Sequence, residues 1–430
     1  MGIALALAKR VWAVGGALAL AVALPGCGSS GSGTSTTITD TAAVGPVIQT
    51  VSSNCPTAAV QASEAVAQRV YQESTGGRIA AEALQRLKRP GALTQAVEKN
   101  DRAAAHRALQ ELLLNQIVSV RVTHGGRTLT KIERGAAIAP RSEPLLNAQG
   151  ETVGEVTVSV QGANGYAQTL KGLLHAQVVV RSAGRTLSAT LHPAPKLPVG
   201  THSLSYRGES YRVSTFAGRA FPDRPSSISL LTPGAAIAAV CAKRGATAAQ
   251  AQADTFGLVA ERVYYAEHEG SKAELLLHYV ERSRAFREAV LAGDPKATRA
   301  AIVGFFRSHL HIVRVRVIRA GKLLIDVGGP HVLAPIPGVL RNARGQVAAH
   351  FLLAIQDDLG FQILAHAFTG AQVAIREGSR QVMGSLSPGP ATIPDRGRVV
   401  YRGVPYQAYS FAAEAFPSGP LRISLLFAVG

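Results

Sequence analysis

Laid over itself with an offset of 195 residues, the chain stays in register without a gap from Ile117 on Ile312 to Leu231 on Leu426. Val118, Val120, Arg121 and Val122 fall on Val313, Val315, Arg316 and Val317, and Gln161 and Gly165 fall on Gln356 and Gly360. Tyr206-Arg207-Gly208 falls on Tyr401-Arg402-Gly403, Tyr211 on Tyr406, and Phe221-Pro222 on Phe416-Pro417. Upstream, Arg69-Val70-Tyr71 matches Arg262-Val263-Tyr264 at an offset of 193, a length change that a loop absorbs. Solenoid repeats run to about 20–50 residues, so this period marks a duplicated whole domain. Two domains are expected, residues 54–233 and residues 234–430.

Each copy reads helices first and strands second. Phe256, Val259, Val263 and then Leu275, Tyr279, Phe286 and Val290 recur at helical spacing and predict a long helical region with one apolar stripe. Gly293-Asp294-Pro295 is a stop and a restart, with Gly in a left-handed C-terminal position, Asp as a cap and Pro in the next first turn. Asn100-Asp101 does the same in the first copy. The period then changes to two. Residues 312–318, 347–355, 371–375, 399–402, 406–411 and 421–427 read as strands, and Asp358 is placed to cap a short helix over 359–368. The expected class is therefore α+β, two duplicated domains, each a long N-terminal helical region followed by an antiparallel sheet of about five strands.

That layout resembles the Cache family, the PAS-like extracytoplasmic sensor domains. The residues that carry the likeness are Ile312 to Val317 with Gly321, Gln356 to Phe361 with Phe368-Thr369-Gly370, Tyr401-Arg402-Gly403 and Phe416-Pro417. The resemblance implies a PAS-like sheet in each domain and a small molecule bound on the open sheet face. It also implies a signal handed to a membrane module. This sequence shows no output module, so a separate membrane signalling or transport partner is expected.

The N-terminus points to the compartment. Lys9 and Arg10 precede an apolar run from Val11 to Leu24, which is followed by Pro25-Gly26-Cys27. Charge, run length and cysteine position read as a lipoprotein signal peptide over 1–26, with Cys27 as the lipidated residue. The Gly/Ser/Thr-rich stretch after it reads as a flexible tether over 27–53. The expectation is an extracytoplasmic protein anchored to the cell membrane by lipid. In that oxidising compartment Cys55 and Cys241, each just ahead of a helical part, are available to pair.

A formal net charge of +18 favours anionic partners and cannot choose among phospholipid, acidic wall polymer, nucleic acid or a carboxylate ligand. The compartment and the lack of a recognisable module argue against nucleic acid. Parity on the strand 312–318 puts Val313, Val315 and Val317 on one face and Arg314 and Arg316 on the other. A guanidinium there can hold a carboxylate bidentately, with Arg121 repeating the placement, or can simply be solvated. Tyr401 and Tyr406 flank a hairpin turn and can touch a ligand or fill the core. Asp357 and Asp358 can fix an ammonium group or only cap a helix, and the first copy has Gly162 and Ala163 there. His309 and His311 lack further ligands, so no metal and no cofactor are expected. Gly384 to Gly389 lacks the spacing of a nucleophile elbow, and an enzyme is not expected. The reading preferred is a small-molecule sensor. The alternative is a basic envelope scaffold or adhesion lipoprotein that binds acidic polymers, with its sheet pockets filled by its own side chains.

Overall fold

A computed structural model describes residues 54–429 except 90, 114, 115, 198, 199, 201, 243–246 and 310. The signal peptide over 1–26, the tether over 27–53 and the lipidation at Cys27 lie outside the described residues. The chain divides into two compact units. One is Val60–Ala239, and the other is Val240–Gly430 together with the segment that ends at Ala59.

The first unit opens with helices. They are α1 (Cys55–Gly76), whose first turn belongs to the second unit, α2 (Arg78–Leu87), α3 (Ala92–Glu98) and α4 (Arg102–Leu112). Asn100 takes a left-handed φ of 51° and Asp101 caps α4 by accepting from the Ala104 amide at 3.0 Å, so Asn100-Asp101 is indeed a stop and a restart. Two antiparallel sheets follow. Strands β1 (Ser119–His124), β2 (Arg127–Glu133), β4 (Arg141–Leu146) and β5 (Thr152–Ser159) form a sheet in the order β2-β1-β5-β4. The other sheet runs β6-β3-β10-β11-β7-β8, with β9 on β10. Its strands are β3 (Ala137–Ile138), β6 (Gln161–Gly162), β7 (Gln177–Ser182), β8 (Arg185–Ala189), β9 (Ser203–Tyr206), β10 (Glu209–Ala220) and β11 (Arg224–Pro233). Helix α5 (Ala163–Leu174) links the sheets and α6 (Gly234–Cys241) leads out.

The second unit has the same order. Its helices are α7 (Ala248–Glu269), α8 (Ser271–Arg282), α9 (Arg284–Ala292) and α10 (Pro295–Ser308), so the long helical stripe is four helices broken at Gly270, Ser283 and Gly293. Gly293 is left-handed at φ 73° and the Asp294 carboxylate accepts from the Lys296 and Ala297 amides. A sheet in the order β13-β12-β15-β14 comes next, from β12 (Arg314–Arg319), β13 (Lys322–Gly328), β14 (Ile336–Arg341) and β15 (Val347–Ala354). Helix α11 (Asp358–Thr369) leads to a sheet in the order β17-β16-β20-β19-β18. Its strands are β16 (Gln372–Glu377), β17 (Arg380–Gly384), β18 (Arg396–Tyr401), β19 (Val404–Glu414) and β20 (Pro420–Ala428).

The class is α+β with antiparallel sheets, and the sheet of about five strands is β16 to β20. The strands 312–318 and 347–355 belong instead to a separate four-stranded sheet, completed by β13 and β14. The first sheet of each unit packs its inner face on the short helices. In the second unit Phe286, Ile302 and Phe305 meet Val315, Val317 and Phe351, all at most 3% exposed. The second sheet there packs on α7, where Phe256 meets Phe427 with ring centroids 5.4 Å apart and Tyr264 meets Phe411 at 5.9 Å. Burying large aromatic and aliphatic side chains contributes roughly 1.5–3 kcal/mol each, so these faces supply most of the drive to fold. Arg402-Gly403 and Arg207-Gly208 all take positive φ, the conformation that a tight hairpin between twisted strands requires.

Candidate functional site

The site starts from the alternation of β12. Val315 and Val317 are fully buried in the helical core, and Arg314, Arg316 and Ile318 turn to the opposite face. Pairing then fixes their neighbours. Arg316 lies beside Asp326 and Leu352, and Leu352 beside Pro337. One row on, Ile318 lies beside Leu323 and His350, and His350 beside Val339. Arg316, Ile318, Pro337, Val339, His350 and Leu352, with Glu281 of α8, line a depression of 310 Å³. That is the low end of the range for sites of small molecules.

The two arginines are used differently. Arg314 donates from Nε and Nη2 to the two Asp326 oxygens, each at 2.8 Å, and from Nη1 to the Pro330 carbonyl at 3.0 Å. Its guanidinium also lies over the Phe416 ring at 4.6 Å, so Arg314 is held by the fold itself. Arg316 donates only Nη1 to Asp326, at 3.1 Å, and its buried Nε has no acceptor. Burial pulls the Asp326 carboxyl upward, but the hydrogen bonds and charge of Arg314, then of Arg316, outweigh it and hold it below the usual range. Asp326 and, in the wall of the depression, Glu281 balance the two guanidiniums, and what is left open is the buried Arg316 Nε beside an apolar floor. Such a site can take a carboxylate or phosphate whose remainder is apolar. Glu281, bonded to His278 at 3.3 Å, adds a negative wall.

Arg121 occupies the matching place on β1, also with a buried, unpartnered Nε. Its cross-strand neighbour is Lys131, where the second unit has Asp326. Lys131 pairs with Glu133 at 3.2 Å, so the arginine is repeated and its counter-ion is not.

Asp357 and Asp358 stand elsewhere, at the start of α11. The cap is Asp357, which accepts from the Gly360 amide at 2.6 Å, and not Asp358. Gln356-Asp357-Asp358 offers two carboxylates in succession, and the one with extended backbone takes the capping role. Asp358 is the first helical residue, 2% exposed, with no donor to either oxygen. Burial, then the charge of Asp357, pushes its carboxyl up to about 7. Its counterpart Ala163 is fully buried and apolar.

Tyr401 and Tyr406 lie at the second sheet, whose face away from α7 is covered by the segment 385–395. The Tyr401 hydroxyl donates to the Pro388 carbonyl, and Arg376 donates to the Pro390 and Ala391 carbonyls. Tyr406 packs with Leu386 and Val399 against Ala374, Ile393, Ala408 and Leu426, and burial raises its phenol. The first unit repeats this closure, with Tyr206 on the Pro193 carbonyl, Arg181 on Pro195, and Leu191 and Leu197 beneath. None of Asp357, Asp358, Tyr401 or Tyr406 lines the depression at Arg316.

Sequence reasoning missed Asp326, His350 and Glu281. Asp326 reaches the arginines through the register of the β12–β13 hairpin, which shifts by a bulge between Val317 and Ile318. The signal for His350 is its outward place in a strand that alternates from Ala349 to Leu353. Cys55 and Cys241 form a disulfide that closes a separation of 186 residues. His309 lies against the Tyr279 ring at 3.9 Å, and among the described residues no three His, Cys, Asp or Glu side chains converge as metal ligands.

No known protein family matches the chain. No curated protein matches it either. Among solved structures, the periplasmic domain of Vibrio cholerae LuxQ superposes with a TM-score of 0.26 at 12% identity, over 41% of this chain and 100% of that one. The ligand-binding domain of the Pseudomonas fluorescens chemoreceptor CtaA, in complex with L-alanine, gives 0.25 at 14% identity, over 41% and 95%. An extracellular ligand binding receptor from Desulfohalobium retbaense gives 0.26 at 10% identity, over 41% and 40%. A likeness of this size carries no argument about ligand or partner.

Proposed function

We propose that the chain is an extracytoplasmic binding protein of two Cache-like domains, residues 54–233 and 234–430. In this reading it takes a small carboxylate-bearing molecule against Arg316 and reports it through a separate membrane partner. An acylated Cys27 would hold it to the membrane. The observation that supports this most is the buried, unpartnered Arg316 Nε beside an apolar depression. The second unit is the binding one in this reading, since the depression lies there. The test is a thermal-shift screen against organic acids, amino acids and amines, with Arg316→Ala and His350→Ala beside the native chain. A shift of several degrees with an organic acid, abolished by Arg316→Ala, is the expected result. No shift with any acid, or one untouched by Arg316→Ala, overturns the site.

One observation favours the scaffold reading. The open faces of both second sheets are occupied by their own segments, as a non-sensing envelope protein would have them. Binding to acidic envelope material that falls steeply with salt, without any small-molecule shift, is its expected signature.

A further inference from the structure

The β12–β13 turn and the β14–β15 turn lie at the same end of their sheet, because Arg319 pairs with both Lys322 and Ala349, and Arg341 pairs with Val347. Arg319, Lys322, Arg341 and Arg344 are all exposed there. Helix α9 adds Arg287, which donates to the Arg341 carbonyl at 3.2 Å. Arg319 donates to the Leu291 carbonyl at 3.0 Å and Arg341 to the Gly345 carbonyl at 2.9 Å. These acceptors are neutral, so the guanidiniums are held in place with their charge uncancelled. Neither turn contains an acidic residue, and among the described residues none of the five cations has a carboxylate at ion-pair distance.

The duplication supplies an internal comparison. At the four turn positions the first unit has His124, Arg127, Leu146 and Gln149, and it places Glu151 where the second has Gln346. The positive rim therefore belongs to the second unit alone. Exposed aliphatic residues occupy strand positions next to these cations, with Leu323 beside Lys322 54% exposed, Val347 paired with Arg341 43%, and Val339 two residues before Arg341 36%. A soluble polyanion gains nothing from these. A bilayer does, since cations meet its phosphates while small aliphatic groups enter the headgroup layer.

We infer that this end of the β13-β12-β15-β14 sheet docks on an anionic phospholipid bilayer. The inference does not depend on the Arg316 site. The full chain with Cys27→Ser, which removes acylation, is sedimented with vesicles of phosphatidylglycerol and phosphatidylcholine in equal parts and with phosphatidylcholine alone. The N-terminal run is common to all samples, so the readout is the difference between variants. Arg319, Lys322, Arg341 and Arg344 are changed together to Gln, and a charge-matched control changes Arg127, Arg185, Arg207 and Arg212 to Gln in the first unit. The rim variant is expected to lose at least about tenfold in affinity for the anionic vesicles and the control less than about twofold. Leu323→Ser with Val347→Ser should weaken vesicle binding and leave binding to soluble polyphosphate unchanged. Equal losses in both charge variants would assign binding to net charge alone and overturn the docking surface. A rim variant that loses polyphosphate but keeps vesicles would mark an acidic-polymer site, which also overturns it. Should the rim variant fail to fold, the aliphatic pair decides, and undiminished vesicle binding by that pair refutes the inference.

Discussion

At Asp358 the fold places a carboxyl in the interior with no donor to either oxygen. Its folded-state value of about 7 lies above the unfolded value near 3.8, so the native state holds the proton more tightly. The stability that this group contributes is complete below about pH 4 and is lost as pH rises toward 7. The loss is of order 2–4 kcal/mol, in the sense opposite to a salt-bridged aspartate. Asp358→Asn, a neutral near-isostere, should match the native chain at about pH 4 and exceed it at pH 8, read as the midpoint of urea unfolding at each pH. A native chain with flat stability from pH 5 to 8 would contradict the assignment. Arg316 makes the complementary case, a buried donor without an acceptor. Parity alone gave the faces of Val315 and Arg316. It could not give Asp326, because a cross-strand partner depends on where the hairpin bulges. Sequence reading chose Asp358 as the cap where the fold uses Asp357, since both side chains suit the role and the backbone conformation decides.

Between elements, the two units solve one packing problem in different ways. A Cβ on Gly257 of α7 would lie 2.1 Å from Cγ of Tyr409 on β19, so the glycine exists to admit the ring. The same two places in the first unit hold Glu64 and Ser214. Burial raises the Glu64 carboxyl, while a hydrogen bond from Gln68 draws it back. Gly257→Ala should cost about 1–3 kcal/mol by overpacking. With Tyr409→Ser the cost should fall well short of additive, measured as a double-mutant cycle in denaturant midpoint. Two strands that sequence reading missed have separate causes. Ile336–Arg341 contains Pro337 and Gly338, poor strand formers, and Gly338 is required because a Cβ there would lie 2.2 Å from the Phe351 ring. In Lys322–Gly328 the run Leu323-Leu324-Ile325 breaks the period of two. The closure of the second unit's second sheet by 385–395 was not legible, since Gly/Ser/Pro composition signals a loop and says nothing of what it covers.

For the whole molecule, the offset of 195 residues was legible in full, and strands obey it closely: Ser119–His124 maps onto Arg314–Arg319 and Thr152–Ser159 onto Val347–Ala354. Among the described residues no helix is long and apolar enough to cross a membrane. The disulfide joins two cysteines of the second unit, although the sequence of nearly the whole first unit lies between them. Closing a loop of 186 residues lowers the entropy of the unfolded chain, worth about 5 kcal/mol in the chain-entropy account. Cys241→Ser, or reduction, should therefore lower the melting temperature of the second unit, followed by calorimetry with and without reductant. The bond also changes what cleavage means. Because Cys55 and Cys241 stay joined, a single protease cut in any loop from residue 56 to 240 opens a ring instead of severing a string. The nicked protein would still run as one species on a non-reducing gel, and would part into two fragments only when the sulfurs are reduced.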